Sequence, residues 1–305
     1  MPGVTAIQDQ VISFSVGAGA VRGRIARLGP ALDFFLSGTQ PYPKAVGHLL
    51  AETAVLATVL AASLKYNGIF SLQAQGKGPI TLLVVDITSE GHLRAHARYD
   101  ADKISKIGVR AHGSVKQLLG KGYLAFTVDQ GADTERYQGI VELTGDSLEE
   151  CAKTYFKQSE QLDTAVEVAV SAPTDSHGWI ATAVMIQRMP TDSANAPIMM
   201  AEDAQEGWHR AGILLGSVKP SEMLDPALSP QQLLYRLYHA EHLQIFDPKA
   251  MEARCRCSRE RVKATLDSLP AEDLGSLADA EGRITVTCEF CHTEHAIPLS
   301  ELTPQ

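Results

Sequence analysis

"PKAVGHLLAETAVLATVLAASLKYNG", Pro43 to Gly68, is the stretch whose reading decides the fold. It is the most apolar segment of the chain, so it is either a membrane span or the central helix of a core. Glu52 and several small polar residues interrupt it, and it falls short of the roughly 18 uninterrupted apolar positions that a span requires. Pro43 stands where a first helical turn tolerates proline, and Gly68 where a helix stops. The segment is apolar around most of its circumference. It therefore predicts a buried helix with a domain built around it.

Outward from it, the chain up to about Met189 supplies layers for that helix to pack against. "IFSLQAQ" (Ile69–Gln75) and "PITLLVVDI" (Pro79–Ile87) flank a Gly-Lys-Gly turn at Gly76–Gly78 and predict a β-hairpin. "HLRAHARY" alternates Leu93, Ala95, Ala97 and Tyr99 with His92, Arg94, His96 and Arg98, which predicts one buried face and one basic, solvated face. A second Gly-Lys-Gly turn, Gly120–Gly122, precedes "YLAFTV". Neither turn has the spacing or the following Ser or Thr of a phosphate-binding loop, so both read as turns. "GDSLEECAKTYFKQSEQ" has Ser147 and Glu150 in capping-box spacing and places Cys151 on the buried face of a helix. "AVEVAVSA" and "GWIATAVMIQRM" read as two closing strands. The fold class is α+β, a large N-terminal domain of mostly antiparallel sheet with helices.

With 305 residues, two packed domains are expected, one large and one small. The boundaries fall at 1–190 for the core domain, 191–250 for a helical linker and 251–305 for a C-terminal domain. The linker opens on the turn-rich "TDSANAP", and its helical patterns are short, broken by Gly207, Gly212, Gly216, Pro220, Pro226 and Pro230. They should be marginal. Leu233, Leu234, Leu237 and Tyr238 nevertheless form an apolar stripe that must lie on something, which predicts a linker packed on the first domain. In the tail, "SRERVKATLDSL" reads as a helix and "RITVTCEFCHTEHAIPL" as a hairpin. A segment of roughly 50 residues cannot bury enough surface to fold securely by itself, a size at which metals or disulfides are normally needed.

Four of the five cysteines lie in that tail. Cys255 and Cys257 form a C-x-C pair, and Cys288 and Cys291 a C-x-x-C pair. Four thiolates satisfy a tetrahedral Zn²⁺ ion, and a hairpin knuckle is a standard way to present two of them; an iron–sulfur cluster uses the same donors. His292 and His295 stand beside the knuckle as substitute ligands or as outer partners. Arg254, Arg256, Arg259 and Arg261 surround the first pair, and nearby cations favour thiolate over thiol. Each pair is also close enough in sequence to bridge its own neighbour, the C-x-C ring being strained. Oxidation would then remove the ligands and withdraw folding energy on the order of 10 kcal/mol.

"RLYHAEHLQIFDP" leading into "CRCSRER", the later "CEFC", and "QGKGP", "ERYQGIVEL" and "GDSLEECAKTYFKQSEQ" in the first domain together resemble the heat shock protein 33 family of redox-regulated chaperones, in the same order over essentially the whole chain. The resemblance implies a cytoplasmic, ATP-independent holdase that is inactive while reduced and zinc-bound. Oxidants then pair Cys288 with Cys291 and Cys255 with Cys257, the zinc leaves, the linker unfolds, and the protein dimerises and holds unfolding client proteins. Two positions depart from the pattern. Asp163 stands where proline is usual and touches only a turn; His292 follows the knuckle where Gly or Asn is common, which bears on the hairpin geometry.

Other readings are weaker. The net charge of −9 argues against nucleic acid as a partner, as do 7 basic against 10 acidic residues from Lys249 onward. A constitutive zinc-ribbon protein that binds nucleic acid is the alternative. A C-x-x-C without a thioredoxin-like context is weak support for a thiol oxidoreductase, and no nucleophile–base pair or paired acids suggest an enzyme. His239 and His242 lack a third ligand and read as surface residues. "MPGVTAIQDQ" has no basic region followed by an apolar one, so no secretory signal is expected and a reducing cytoplasm is. No membrane partner is expected.

Overall fold

β1 (Gln10–Val16) and β2 (Val21–Leu28) form the first hairpin, and α1 (Pro30–Leu36) and α2 (Lys44–Ser63) follow it. A meander of β3 (Ile69–Gly76), β4 (Ile80–Thr88) and β5 (His92–Tyr99) comes next. α3 (Ala101–Ile107) and α4 (Val115–Leu118) then lead to β6 (Gly122–Asp129) and β7 (Tyr137–Glu142). α5 (Leu148–Tyr155) precedes the paired strands β8 (Thr164–Ser171) and β9 (Ile180–Arg188). Three helices follow, α6 (Ala201–Gly216), α7 (Pro220–Met223) and α8 (Pro230–Tyr238), and then three two-residue strands, β10 (Gln244–Ile245), β11 (Lys249–Ala250) and β12 (Glu252–Ala253). The tail holds α9 (Arg259–Asp267), α10 (Ala271–Leu277), β13 (Arg283–Thr287) and β14 (Glu294–Pro298). This computed structural model describes residues 7–38, 41–107, 114–131, 136–189 and 201–303. The turn expected at Thr191–Pro197 and the junction after Pro190 lie outside them, as do Met1–Ala6.

Two large sheets result, which bears out the α+β reading. The first has strand order β10-β1-β2-β9-β8, with β11 also on β1; the second has order β12-β5-β4-β3-β6-β7. All pairings in them are antiparallel except β12 with β5. α2 lies between the sheets and packs on strands of both. From Leu49 to Ala61 every residue is buried except Glu52, which is half-buried. Thr53 and Thr58 are tolerated there because their hydroxyls donate to the carbonyls of Leu49 and Ala54, one turn back. By length and composition α2 would cross a membrane, yet 78% of its apolar window is buried inside the fold, so it is a core helix. It ends at Ser63 rather than near Gly68, because Leu64 turns extended and the Tyr66 hydroxyl ties the chain to the carbonyls of Ile87 and Thr88.

The two Gly-Lys-Gly turns pack on each other: the Gly78 amide donates to the Leu119 carbonyl at 2.7 Å and that of Lys77 to Lys121 at 3.0 Å. A Cβ at Gly76 would stand 2.1 Å from the Leu119 carbonyl oxygen, so this backbone contact requires glycine.

The first sheet is apolar on both faces. Val11, Ala26 and Leu28 join the α2 core, while Ile12, Phe14, Val16, Val21, Ile25, Val184 and Ile186 form a second core on the opposite face. That outer face is covered by Ala211 and Leu215 of α6, Met223 of α7, and Leu233, Leu234 and Tyr238 of α8. Here α6 differs from expectation: it runs unbroken through Gly207 and Gly212. Neither glycine faces a neighbour that a methyl group would touch, so both weaken the helix without serving a contact. The tail has a third, small core of Leu266, Leu274, Ile284, Ile297 and Leu302.

Candidate metal centre

β10 to β12 bring the chain off the helical cover, along the edge of the first sheet and onto the edge of the second. The Arg254 amide extends this last pairing, donating to the Leu93 carbonyl at 2.9 Å, so Cys255 leaves directly from the sheet edge. Beyond Cys257 the Ser258 hydroxyl accepts the Arg261 amide and starts α9. The second pair sits on the β13–β14 turn, where the Cys288 amide donates to the Thr293 carbonyl at 3.0 Å and the His292 amide to the Cys288 carbonyl at 2.8 Å. His292 closes this turn at φ +55°, the left-handed region that Gly and Asn adopt most easily, so the departure is accommodated with some backbone strain.

The fold brings all four tail cysteines together, with their Sγ atoms within 4.8 Å of one another. Cys255 lies 3.6 Å from Cys288, and Cys257 lies 3.4 Å from Cys291. A tetrahedral Zn²⁺ with Zn–S bonds of about 2.3 Å needs sulfurs about 3.8 Å apart, which this half-buried set meets with small adjustment. The cluster is made of cysteines alone. His295 has a buried Nε2 with no hydrogen-bond partner, and His292 is half-buried.

Burial pushes the Cys255 and Cys257 thiols up. It acts the same way on Cys291, but the Thr293 hydroxyl and amide and the neighbouring thiols of Cys257 and Cys255 outweigh it and bring Cys291 down to about 7. The arginines do not provide the cationic surround that their spacing suggested. Arg259 pairs with Glu301, Arg261 donates to the Arg256 carbonyl, Arg254 meets His92, and Arg256 pairs with Asp86.

The basic face of β5 is only partly solvated: Arg98 is exposed, but His92 and Arg94 are half-buried and His96 is buried. Arg94 holds Asp86 and its guanidinium carbon lies 4.0 Å from the centre of the Phe290 ring, His96 meets the same ring at a tilt with centroids 5.6 Å apart, and Arg98 reaches Glu289 at 3.5 Å. Phe290 and Glu289 are the two residues inside the C-x-x-C pair, so the knuckle itself covers this face. The signal for the contact was Asp86, a lone charge inside the apolar run "LLVVDI". Cys151 is fully buried in the α2 core and stands outside the cluster, and His239 and His242 are exposed.

A sheet-rich α+β core with a helical cover and a four-thiol tail defines the class: a protein of two large sheets carrying a C-terminal metal-type cysteine cluster. A family model for Hsp33 proteins matches residues 9–298. The 33 kDa chaperonin of Caulobacter vibrioides strain NA1000 / CB15N is 36% identical over 293 residues, 95% of each chain. That of Pseudomonas aeruginosa strain UCBPP-PA14 is 34% identical over 295 residues, 96% of this chain and 93% of the other. The crystal structure of the 33 kDa chaperonin (heat shock protein 33 homolog) of Thermotoga maritima aligns with a TM-score of 0.78 at 20% identity, over 97% of this chain and 96% of that one. The chain belongs to the Hsp33 family of chaperones.

Proposed function

We propose that the protein is an ATP-independent holdase of the cytoplasm, switched on by thiol oxidation and binding unfolding proteins. The observation that carries this reading is the four-sulfur cluster in a tail whose own core, among the described residues, has five buried side chains. In this reading the chain works as three parts, a core domain over 1–190, a linker over 191–250 and a sensor over 251–305. Cys255, Cys257, Cys288 and Cys291 would hold one Zn²⁺, which when bound supplies a tetrahedral clamp between the C-x-C segment and the hairpin knuckle.

Peroxide reacts with two thiolates at a time. One thiolate attacks an oxygen, the O–O bond breaks and hydroxide leaves; the neighbouring thiolate then attacks the sulfenic sulfur, the S–S bond forms as the S–O bond breaks, and the second hydroxide leaves, both hydroxides being taken up as water with two protons. Two electrons pass to each peroxide, so two peroxides convert the four thiolates into Cys255–Cys257 and Cys288–Cys291. Oxidised sulfurs no longer act as ligands, and nothing then holds the ion. The tail loses its clamp, and the α6–α8 cover, carrying two unsupported glycines, comes away from the outer face of the first sheet. That face, with Ile12, Phe14, Ile25 and Ile186, is apolar enough to hold an unfolding client or to pair two copies in the active dimer.

The test measures zinc release and suppression of aggregation of an unfolding protein in one sample, before and after peroxide, with Cys288→Ser as control. The expected result is about one zinc released per chain together with the gain of suppression. Equal suppression before and after oxidation would rule the switch out. Salt-dependent RNA binding by the reduced, zinc-loaded protein would favour the nucleic-acid alternative.

A further inference from the structure

Every side chain that lies between the paired cysteines is used to grip the core. Arg256, between Cys255 and Cys257, places Nη2 2.5 Å from Asp86 Oδ2. Phe290, between Cys288 and Cys291, stacks over Arg94 with the guanidinium carbon 4.0 Å from the ring centre, and its neighbour Glu289 reaches His96 at 3.9 Å and Arg98 at 3.5 Å. Asp86 is the centre of this contact. It is 6% exposed, it accepts from Ser71 Oγ at 2.6 Å, and its Oδ2 is shared by Arg94, at 2.6 Å, and Arg256. Two guanidinium groups this close repel each other unless an anion stands between them, so the carboxylate is what lets the tail's arginine approach that of β5.

The geometry points to Asp86 as the positioning residue that couples the thiol centre to the core. Asp86 of β4 and the basic face of β5 bind the two inter-cysteine turns in the shape that four converging thiolates impose on them. A disulfide within either pair closes a ring of different size around Arg256, or around Glu289 and Phe290, and withdraws those side chains from Asp86, Arg94 and His96. The signal thus reaches the core through the residues between the ligands, before the rest of the tail need unfold. The inference rests on the proposed switch for its purpose, but the contact and its test do not require chaperone activity.

The experiment uses the full-length, reduced, zinc-loaded chain with Asp86→Asn, Arg256→Gln, the double variant, and Arg256→Lys. Three readouts are taken: zinc per chain, hydrogen exchange of residues 254–257 and 288–293, and the rate of zinc release to a coloured chelator at fixed peroxide. Both single variants are expected to keep about one zinc per chain and to release it about fivefold faster or more, the lower end of ordinary coupling between two sites. The double variant should be no faster than the faster single, and Arg256→Lys should recover part of the wild-type rate. If Asp86→Asn disturbs the core, Arg256→Gln, on the tail side, carries the test by itself. Wild-type exchange and release rates in Arg256→Gln would overturn the proposal, as would a double variant whose effect is the product of the singles. Failure of peroxide to create aggregation suppression, with these rates shifted as expected, would overturn only the functional reading.

Discussion

Arg27 of β2 places its buried Nη2 2.8 Å from the Met223 carbonyl at the end of α7, so a cation inside the first sheet caps the backbone of the helical cover. The same guanidinium donates to the carbonyls of Leu228 and Asp225 and to Thr182 Oγ1, and burial draws it down to about 10. The Met223 carbonyl keeps Thr182 Oγ1 as a donor and that of Asp225 keeps the Leu228 amide, so Arg27→Met should strip only the Leu228 carbonyl of its donor; it should cost about 1–3 kcal/mol and loosen α7 and α8 before the sheet. Hydrogen exchange over residues 220–238 in the reduced, zinc-loaded protein checks this; unchanged protection there would refute it.

Gly207 and Gly212 lower the helix propensity of α6 without serving a contact. Because a methyl group meets nothing at either site, Gly207→Ala and Gly212→Ala should each stabilise α6 by about 0.5–1 kcal/mol. Slower exchange across 203–216 is expected, with more peroxide needed for half-maximal activation. A threshold unmoved by slowed exchange would separate α6 from the switch.

Stripping the metal with a chelator under reducing conditions should release the tail. Its five-residue core cannot replace a clamp whose apparent binding energy is on the order of 10 kcal/mol, whereas the two sheets keep their own cores. Exchange protection should vanish from 258–303 and persist in α2, and return on adding zinc. A tail that stays protected without metal would contradict this.

Glu52 makes the core sensitive to pH. Burial pushes its carboxyl up from 4.5 to about 7, against the Leu148 amide that it accepts and with Glu149 adding to the rise. Between those values the folded protein holds a proton that the unfolded chain has lost, so this residue's contribution to stability falls as pH rises through that window. Glu52→Gln keeps the acceptor for Leu148 and should stabilise the core by about 1–3 kcal/mol at pH 8 and little at pH 4.5. Urea unfolding at the two pH values distinguishes the outcomes, and a stabilisation equal at both would exclude the linkage.

Cys151 should take no part in metal binding. Its thiol is fully buried beside α2, and burial pushes its pKa up, so it should resist alkylation in the folded protein. Cys151→Ala should retain about one zinc per chain; a metal-free variant would show that the thiol matters to the site.

Much of this was legible in the chain itself. The apolar girth of 43–63, the alternation of the long strands, the Ser147 cap and the four-cysteine spacing are local patterns, and local patterns follow from the few residues that carry them. Even the strain at His292 was signalled by a residue type out of place. The continuity of α6 was not, because two glycines argue for a break and only the sheet beneath, through Ala211 and Leu215, outweighs them. The two-residue strands β10 to β12 carry too little pattern to be read, since their shape comes from the sheet edges they join.

The sequence by itself determined that a central helix would be buried and that four tail cysteines stand in the spacing of metal ligands, because periodicity and ligand spacing need no distant partner. Only the tertiary structure decided where that tail rests. Asp86 and Arg256 stand 170 residues apart, and a contact between them depends on where the sheet edge runs rather than on either residue's neighbours in the chain. A charge alone in an apolar strand says that it must be paired; the fold alone says with what.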